Sequence, residues 1–177
     1  RHTRLQGDWS SDVCSSDLTT TAKDYQTWAH HYNVGPKDFG SHQVIRFKNR
    51  FNRHPFLFSL YSRITNNLII KLQKSPWLMF RKIASTLEYF WFVLQGPFSP
   101  DLIRYIQNHH EDYDHFFFFT YLYFPTVFGL PLVKDRATLI PTAHDETPFY
   151  FSRVKELFNK STNIFANTRP EYEIGRA

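Results

Sequence analysis

A chain of 177 residues has room for one domain with a real core. Its 21 basic against 16 acidic residues give a net charge of +5, which suits an anionic ligand or an anionic surface and is silent about fold. A single cysteine, Cys14, leaves no intrachain disulfide framework and no cysteine-ligated metal, and the absence of a nucleophile elbow, a P-loop or a Gly-x-Gly-x-x-Gly fingerprint leaves those enzyme classes without support.

Two stretches at the ends stand apart. Asp12-Val-Cys-Ser-Ser-Asp-Leu18 back-translates as GAC GTG TGC TCT TCC GAT CT, and Glu173-Ile-Gly-Arg-Ala177 as GAG ATC GGA AGA GC, which matches part of the reverse complement of the first. Such a relation has no folding rationale, and both strings read as translated sequencing-library adapter. Residues 1–18, expected to be disordered, and 173–177 are therefore set aside, leaving 19–172 as a partial domain of a longer protein. Without Arg1, Arg4 and Arg176 on one side and Asp8, Asp12, Asp17 and Glu173 on the other, 18 basic and 12 acidic residues remain, a net of +6.

In chain order, the β-branched residues 19–22 read as the end of a strand. The aromatic run 24–32 is a short helix or a loop, closed by Gly35-Pro36. Val44-Ile-Arg-Phe47 reads as a short strand, followed by a basic cluster of Arg46, Lys48, Arg50, Arg53 and His54 interleaved with Phe47 and Phe51. From 56 to 73 apolar residues recur at Leu57, Leu60, Tyr61, Ile64, Leu68 and Leu72, helical spacing with Asn66 and Asn67 on the other side. Arg63 and the asparagines argue against a membrane span. Ser75-Pro76 breaks this helix, and a second, aromatic one is expected over 83–94, ended by Gln95-Gly96-Pro97. Ser99 as N-cap and Pro100 at the first helical position start a third, running to about 109.

After the acidic turn Glu111-Asp112-Tyr113-Asp114, the run 116–119 is continuously apolar, the pattern of a strand buried on both faces. A short helix over 121–130 with Pro125 near its start, a strand over 137–141, a helix over 149–159 opened by Pro148, a strand over 163–167 and a first helical turn over 168–172 complete the chain. Strands alternating with helices predict an α/β fold with a doubly wound parallel sheet.

In such a sheet ligands bind beyond the carboxyl ends of strands, and the 137–141 strand delivers His144, Asp145 and Glu146 there. A histidine so placed can exchange hydrogen bonds with a sugar or phosphate, and the carboxylates can orient it or bind hydroxyls. The other reading makes Asp145 and Glu146 caps for the helix near Pro148. Adjacent residues rarely converge on one ion, so no metal is expected, although a metal-dependent hydrolase centred on His144 is a rival. The basic cluster superficially suits single-stranded nucleic acid, but no recognition-module motif accompanies it and no nucleic-acid partner is expected.

The strings Gln95-Gly-Pro-Phe-Ser-Pro-Asp-Leu-Ile103, Tyr113-Asp-His-Phe-Phe-Phe-Phe-Thr-Tyr-Leu-Tyr123 and Leu139-Ile-Pro-Thr-Ala-His-Asp-Glu146 resemble the amino-terminal domain of GT-B retaining glycosyltransferases of family four. Thr19-Thr-Thr-Ala-Lys-Asp-Tyr-Gln-Thr-Trp28 and Val44-Ile-Arg-Phe47 are similar to the same enzymes. The resemblance implies the incomplete amino-terminal half of a two-domain enzyme with facing Rossmann-like domains. It also implies a nucleotide-sugar donor as co-substrate, no separate cofactor, no catalytic metal, and a glycan or lipid-linked acceptor in surface-polysaccharide synthesis. On the same basis His144 matches the histidine that contacts the donor sugar, Asp145 and Glu146 support it, and Gln95, Tyr121 and Tyr123 are candidate acceptor contacts. The family's diphosphate-clamping residues lie in the carboxyl-terminal domain, so this piece by itself is expected to be inactive. A cytoplasmic location follows, with residues 46–94 lining the acceptor cleft or touching the inner membrane face. The alternative is a non-catalytic Rossmann-like module that binds carbohydrate or phosphate.

Overall fold

The computed structural model describes residues 15–40 and 42–168. Within them the chain is mixed α/β, with five α-helices and two three-stranded sheets in place of the one expected. The first sheet has the order β1 (Ser15–Thr20), β3 (His42–Phe47), β2 (Gly35–Asp38); β1 runs parallel to β3 and β2 antiparallel to it. β1 takes in Ser15 to Leu18 of the stretch read as adapter; the remainder of that stretch, and 173–177, lie outside the described residues. β2 was not expected. Gly35-Pro36 reads as turn punctuation, yet β2 is an edge strand, where a proline's missing N–H removes no ladder bond.

The second sheet is wholly parallel, in the order β4 (Phe116–Phe119), β5 (Ala137–Ile140), β6 (Asn163–Ile164). α4 (Phe124–Gly129) links the first pair and α5 (Ser152–Lys160) the second, preceded by a 3-10 turn over Thr147–Tyr150. Parallel strands need crossovers of this kind, which is why alternation in the sequence predicted them. β6 is shorter than the strand expected over 163–167, and 169–172 lie outside the described residues.

β4 corrects the expectation of burial on both faces. Phe116 and Phe118 are buried, but Phe117 and Phe119 are each 63% exposed, since helices cover only one side. Gly129 of α4 makes that cover close: a Cβ there would come within 3.2 Å of Phe118 and of Ile106 from α3 (Pro100–His109). Ser99 precedes α3 as expected, but its hydroxyl donates to the Lys48 carbonyl at 3.1 Å instead of capping the helix.

α1 (Pro55–Gln73) and α2 (Leu78–Gln95) form a helical hairpin, and α2 starts five residues earlier than expected. α1 buries Phe58, Thr65 and Ile69, so the regular stripe Leu57, Leu60, Ile64 and Leu68 faces outward. α2 buries Ala84, Glu88, Trp91, Phe92 and Gln95, residues at helical spacing. Trp91 and Phe92 meet Phe151 edge to face at 5.5 and 6.3 Å, and these rings form the centre of the core. Among the described residues no helix is long and apolar enough to cross a membrane.

Candidate functional site

Among the described residues three non-glycine residues have positive φ: Trp28 (55°), Thr120 (66°) and Thr142 (47°). Thr120 and Thr142 lie just beyond the carboxyl ends of the parallel strands β4 and β5, and Trp28 lies in the connection between β1 and β2. A β-branched residue in the left-handed region is strained, and such strain collects where ligands bind. Thr120 and Thr142 join at 2.9 Å through their hydroxyls and tie the two strand ends together.

Beyond Thr142 come the predicted site residues. His144 is exposed, and its ring makes no hydrogen bond among the described residues. Asp145 accepts from the Tyr150 hydroxyl at 2.7 Å, and half-buried Glu146 accepts from the Tyr121 hydroxyl at 2.8 Å. Tyr121 is fully buried, edge-on to Phe149 and Phe158. Burial, and then the Glu146 carboxylate, push the Tyr121 hydroxyl well above its ordinary value, so it stays a donor. Asp145 raises Tyr150 in the same direction.

Neither carboxylate caps a helix. The first amides of α5 are satisfied from α2: Glu88 accepts from Ser152 N–H at 2.9 Å, from Arg153 N–H at 3.1 Å, and from the Gln73 side chain. The capping reading of Asp145 and Glu146 is thereby replaced by two tyrosine contacts. Glu88 was not singled out in the sequence, although its spacing with Ala84, Trp91 and Gln95 places it on the buried stripe. Burial raises its carboxyl above the ordinary value, against the pull of the two amides and of Arg153.

Gln95 and Tyr123 belong to a second centre, built around Trp28. The indole N–H of Trp28 donates to the Gln95 carbonyl at 2.7 Å, and its ring stands edge-on to Tyr123 at 5.2 Å. Gly96 is required here, because a Cβ would come within 2.8 Å of the indole and its φ is 76°. The Asn49 amide donates to the Trp28 carbonyl at 3.0 Å, and Arg53 donates to the Tyr25 carbonyl at 3.2 Å. Burial raises the Tyr123 hydroxyl, an effect that Arg53 opposes.

Asn49 Oδ1, Gln95 Oε1 and Arg53 Nε are buried and have no hydrogen-bond partner among the described residues. Two amide acceptors and a guanidinium beside two aromatic rings are the chemical mixture that sugar hydroxyls pair with, although in this structure the three polar atoms are closed to solvent. Trp28 and Asn49 carry no signal in the sequence, because their convergence is tertiary. Tyr121 and Tyr123, two residues apart, face one centre each, so the short stretch after β4 connects His144, Asp145 and Glu146 with Gln95 and Trp28.

Two hollows lie elsewhere, one of about 220 Å3 beside Phe128, Arg153 and Glu156, the other of about 360 Å3 beside Tyr89, Ile103 and Phe124. The first also has Lys160 at its wall and the second Arg104 and Gln107, but both are formed between helices, away from the carboxyl ends of the parallel strands where ligands of such sheets bind. Among the described residues no three His, Cys, Asp or Glu side chains gather as a ligand set for a metal ion. No protein-family model matches the chain, and it matches no curated protein and no solved structure.

Proposed function

We propose that the chain is the acceptor-side, Rossmann-like half of a retaining GT-B glycosyltransferase, which moves a sugar from a nucleotide-sugar to a glycan or lipid-linked acceptor. The observation that carries this reading is the gathering of the strained Thr120 and Thr142 with His144, Asp145 and Glu146 beyond the carboxyl ends of β4 and β5. His144 stands there with an exposed, unengaged imidazole, while tyrosines hold its two acidic neighbours. Departure of a diphosphate from an anomeric carbon leaves positive charge on the sugar ring, and a histidine hydrogen-bonded to that sugar fixes its position as the charge develops. The buried cluster of Trp28 and Tyr123 with Gln95, Asn49 and Arg53 supplies aromatic rings and unpaired polar atoms that pair with acceptor hydroxyls when the segment around Trp28 opens. The donor-binding groups belong to a second domain in this family.

The test starts with the source DNA, read outward past residues 19 and 172, and with the complete enzyme expressed from it. Incubated with a panel of nucleotide-hexoses and lipid or oligosaccharide acceptors, it should form a product with the donor's anomeric configuration. His144→Ala should lower kcat by roughly a hundredfold or more. Turnover unchanged by that substitution would overturn the role of His144.

The partnerless polar atoms around Trp28 also favour the second reading, a carbohydrate-binding module without turnover. A frame that stops directly after residue 172, together with saturable oligosaccharide binding that Trp28→Phe weakens, would select it.

A further inference from the structure

We infer that the α1–α2 hairpin docks, turn end first, on an anionic lipid surface. The sequence from Phe39 to Leu87 holds nine basic residues and no acidic one. Four of them, Lys71, Lys74, Arg81 and Lys82, surround the hairpin turn; all are exposed, and none pairs with a carboxylate among the described residues. Between them Trp77 is 70% exposed and Leu78 and Met79 each 63%. The outward stripe of α1, ending in Ile64 and Leu68, runs to the same turn.

An apolar tip ringed by unpaired cations suits a bilayer interface. The side chains enter the boundary between headgroups and acyl chains, while the long basic stems let their charges reach the phosphates. Tryptophan favours that depth, because its ring is apolar and its N–H finds a partner there. The first turn of α2 adds to the match, since it has no acidic residue and no side-chain cap, and its amides present positive potential at the turn. Neither helix is apolar enough to cross, so the hairpin rests in the interface. The open face of β4 has Phe117 and Phe119 without such a rim, so exposure alone is not the ground for the assignment. The inference does not depend on the transferase reading.

The test is flotation of the full 177-residue chain with vesicles of phosphatidylcholine alone and of phosphatidylcholine with phosphatidylglycerol. Binding is expected to the anionic vesicles at low salt and to fall steeply as salt rises, since headgroup attraction is screened within a Debye length. Replacing Lys74, Arg81 and Lys82 with glutamine should weaken binding about fivefold for each residue. The double variant Trp77→Ser, Leu78→Ser should weaken it further while leaving the circular dichroism unchanged. A blue shift of the emission on vesicle addition, lost in Trp77→Phe, should report entry of the indole. Absence of binding to anionic vesicles, equal binding to neutral ones, or full binding by the double variant would each overturn the inference. So would self-association abolished by the same two serines without any vesicle binding, which would make the occupant a second copy.

Discussion

Glu88 and Glu146 are both carboxylates withdrawn from water and held by neighbours, and they differ in what holds them and in what they can reach. Glu88 is fully buried and accepts from three donors, the Ser152 and Arg153 amides and the Gln73 side chain. Glu146 is half-buried, accepts from Tyr121 and lies two residues from an exposed histidine. A carboxylate whose lone pairs are taken by the fold is an anchor; one with a single partner and an open side can still meet a ligand.

The sharpest test of that contrast is Glu88→Ala, with the largest effect expected. It strands two helix-terminal amides, the Gln73 amide and the Arg153 guanidinium, and should lower stability by about 3 kcal/mol, a large share of a small domain's total. Urea unfolding should report it, and a loss below about 1 kcal/mol would show that the anchor is dispensable. Its charge adds a pH dependence. The folded carboxyl is raised above its ordinary 4.5, so the folded state holds this proton more tightly. The stability it contributes is complete below 4.5 and is lost as pH rises through the raised value. Glu88→Gln should flatten the profile over that interval; a profile unchanged from the parent would assign the dependence elsewhere.

Tyr121→Phe tests the other side and should have an intermediate effect. It removes the 2.8 Å hydrogen bond and leaves Glu146 half-buried and unpaired, for a loss of about 1.5 kcal/mol. If Glu146 matters only to the fold, a complete enzyme carrying Tyr121→Phe should keep its kcat once folded. On the transferase reading kcat falls as well, because Glu146 and His144 share one turn, joined by an amide to carbonyl bond at 2.9 Å.

The same contrast explains what could be read in advance. From α1 onward the order of elements was legible: α3 with Pro100 at its start, α4 with Pro125, and β5 leading to a polar terminus. Which faces are covered was not. Four consecutive phenylalanines carry no period, so β4 could not disclose that Phe117 and Phe119 stay open. α1 has apolar residues on both sides, and the more regular stripe, through Leu57 and Ile64, is the outward one. His144, Asp145 and Glu146 were visible as neighbours in the chain. Gln95 was singled out by the resemblance, but its meeting with Trp28 and Asn49 was not legible, because hydrogen bonds from side chains to backbone carbonyls bring the three together, across 67 residues of sequence between Trp28 and Gln95.

The smallest expected effect belongs to Tyr150→Phe, and it separates the two carboxylates of the terminus itself. The Tyr150 hydroxyl donates to Asp145 at 2.7 Å, but both residues are exposed, so water replaces the lost donor. The urea midpoint should therefore stay where it is in the parent. With its tyrosine gone, Asp145 turns freely beside His144, and any effect must come through the site. A fall in kcat of the complete enzyme, with unfolding unchanged, would give Tyr150 a positioning role. A change in neither would leave Asp145 a solvated neighbour, and Glu146, held from beneath by Tyr121, as the carboxylate that orients the turn.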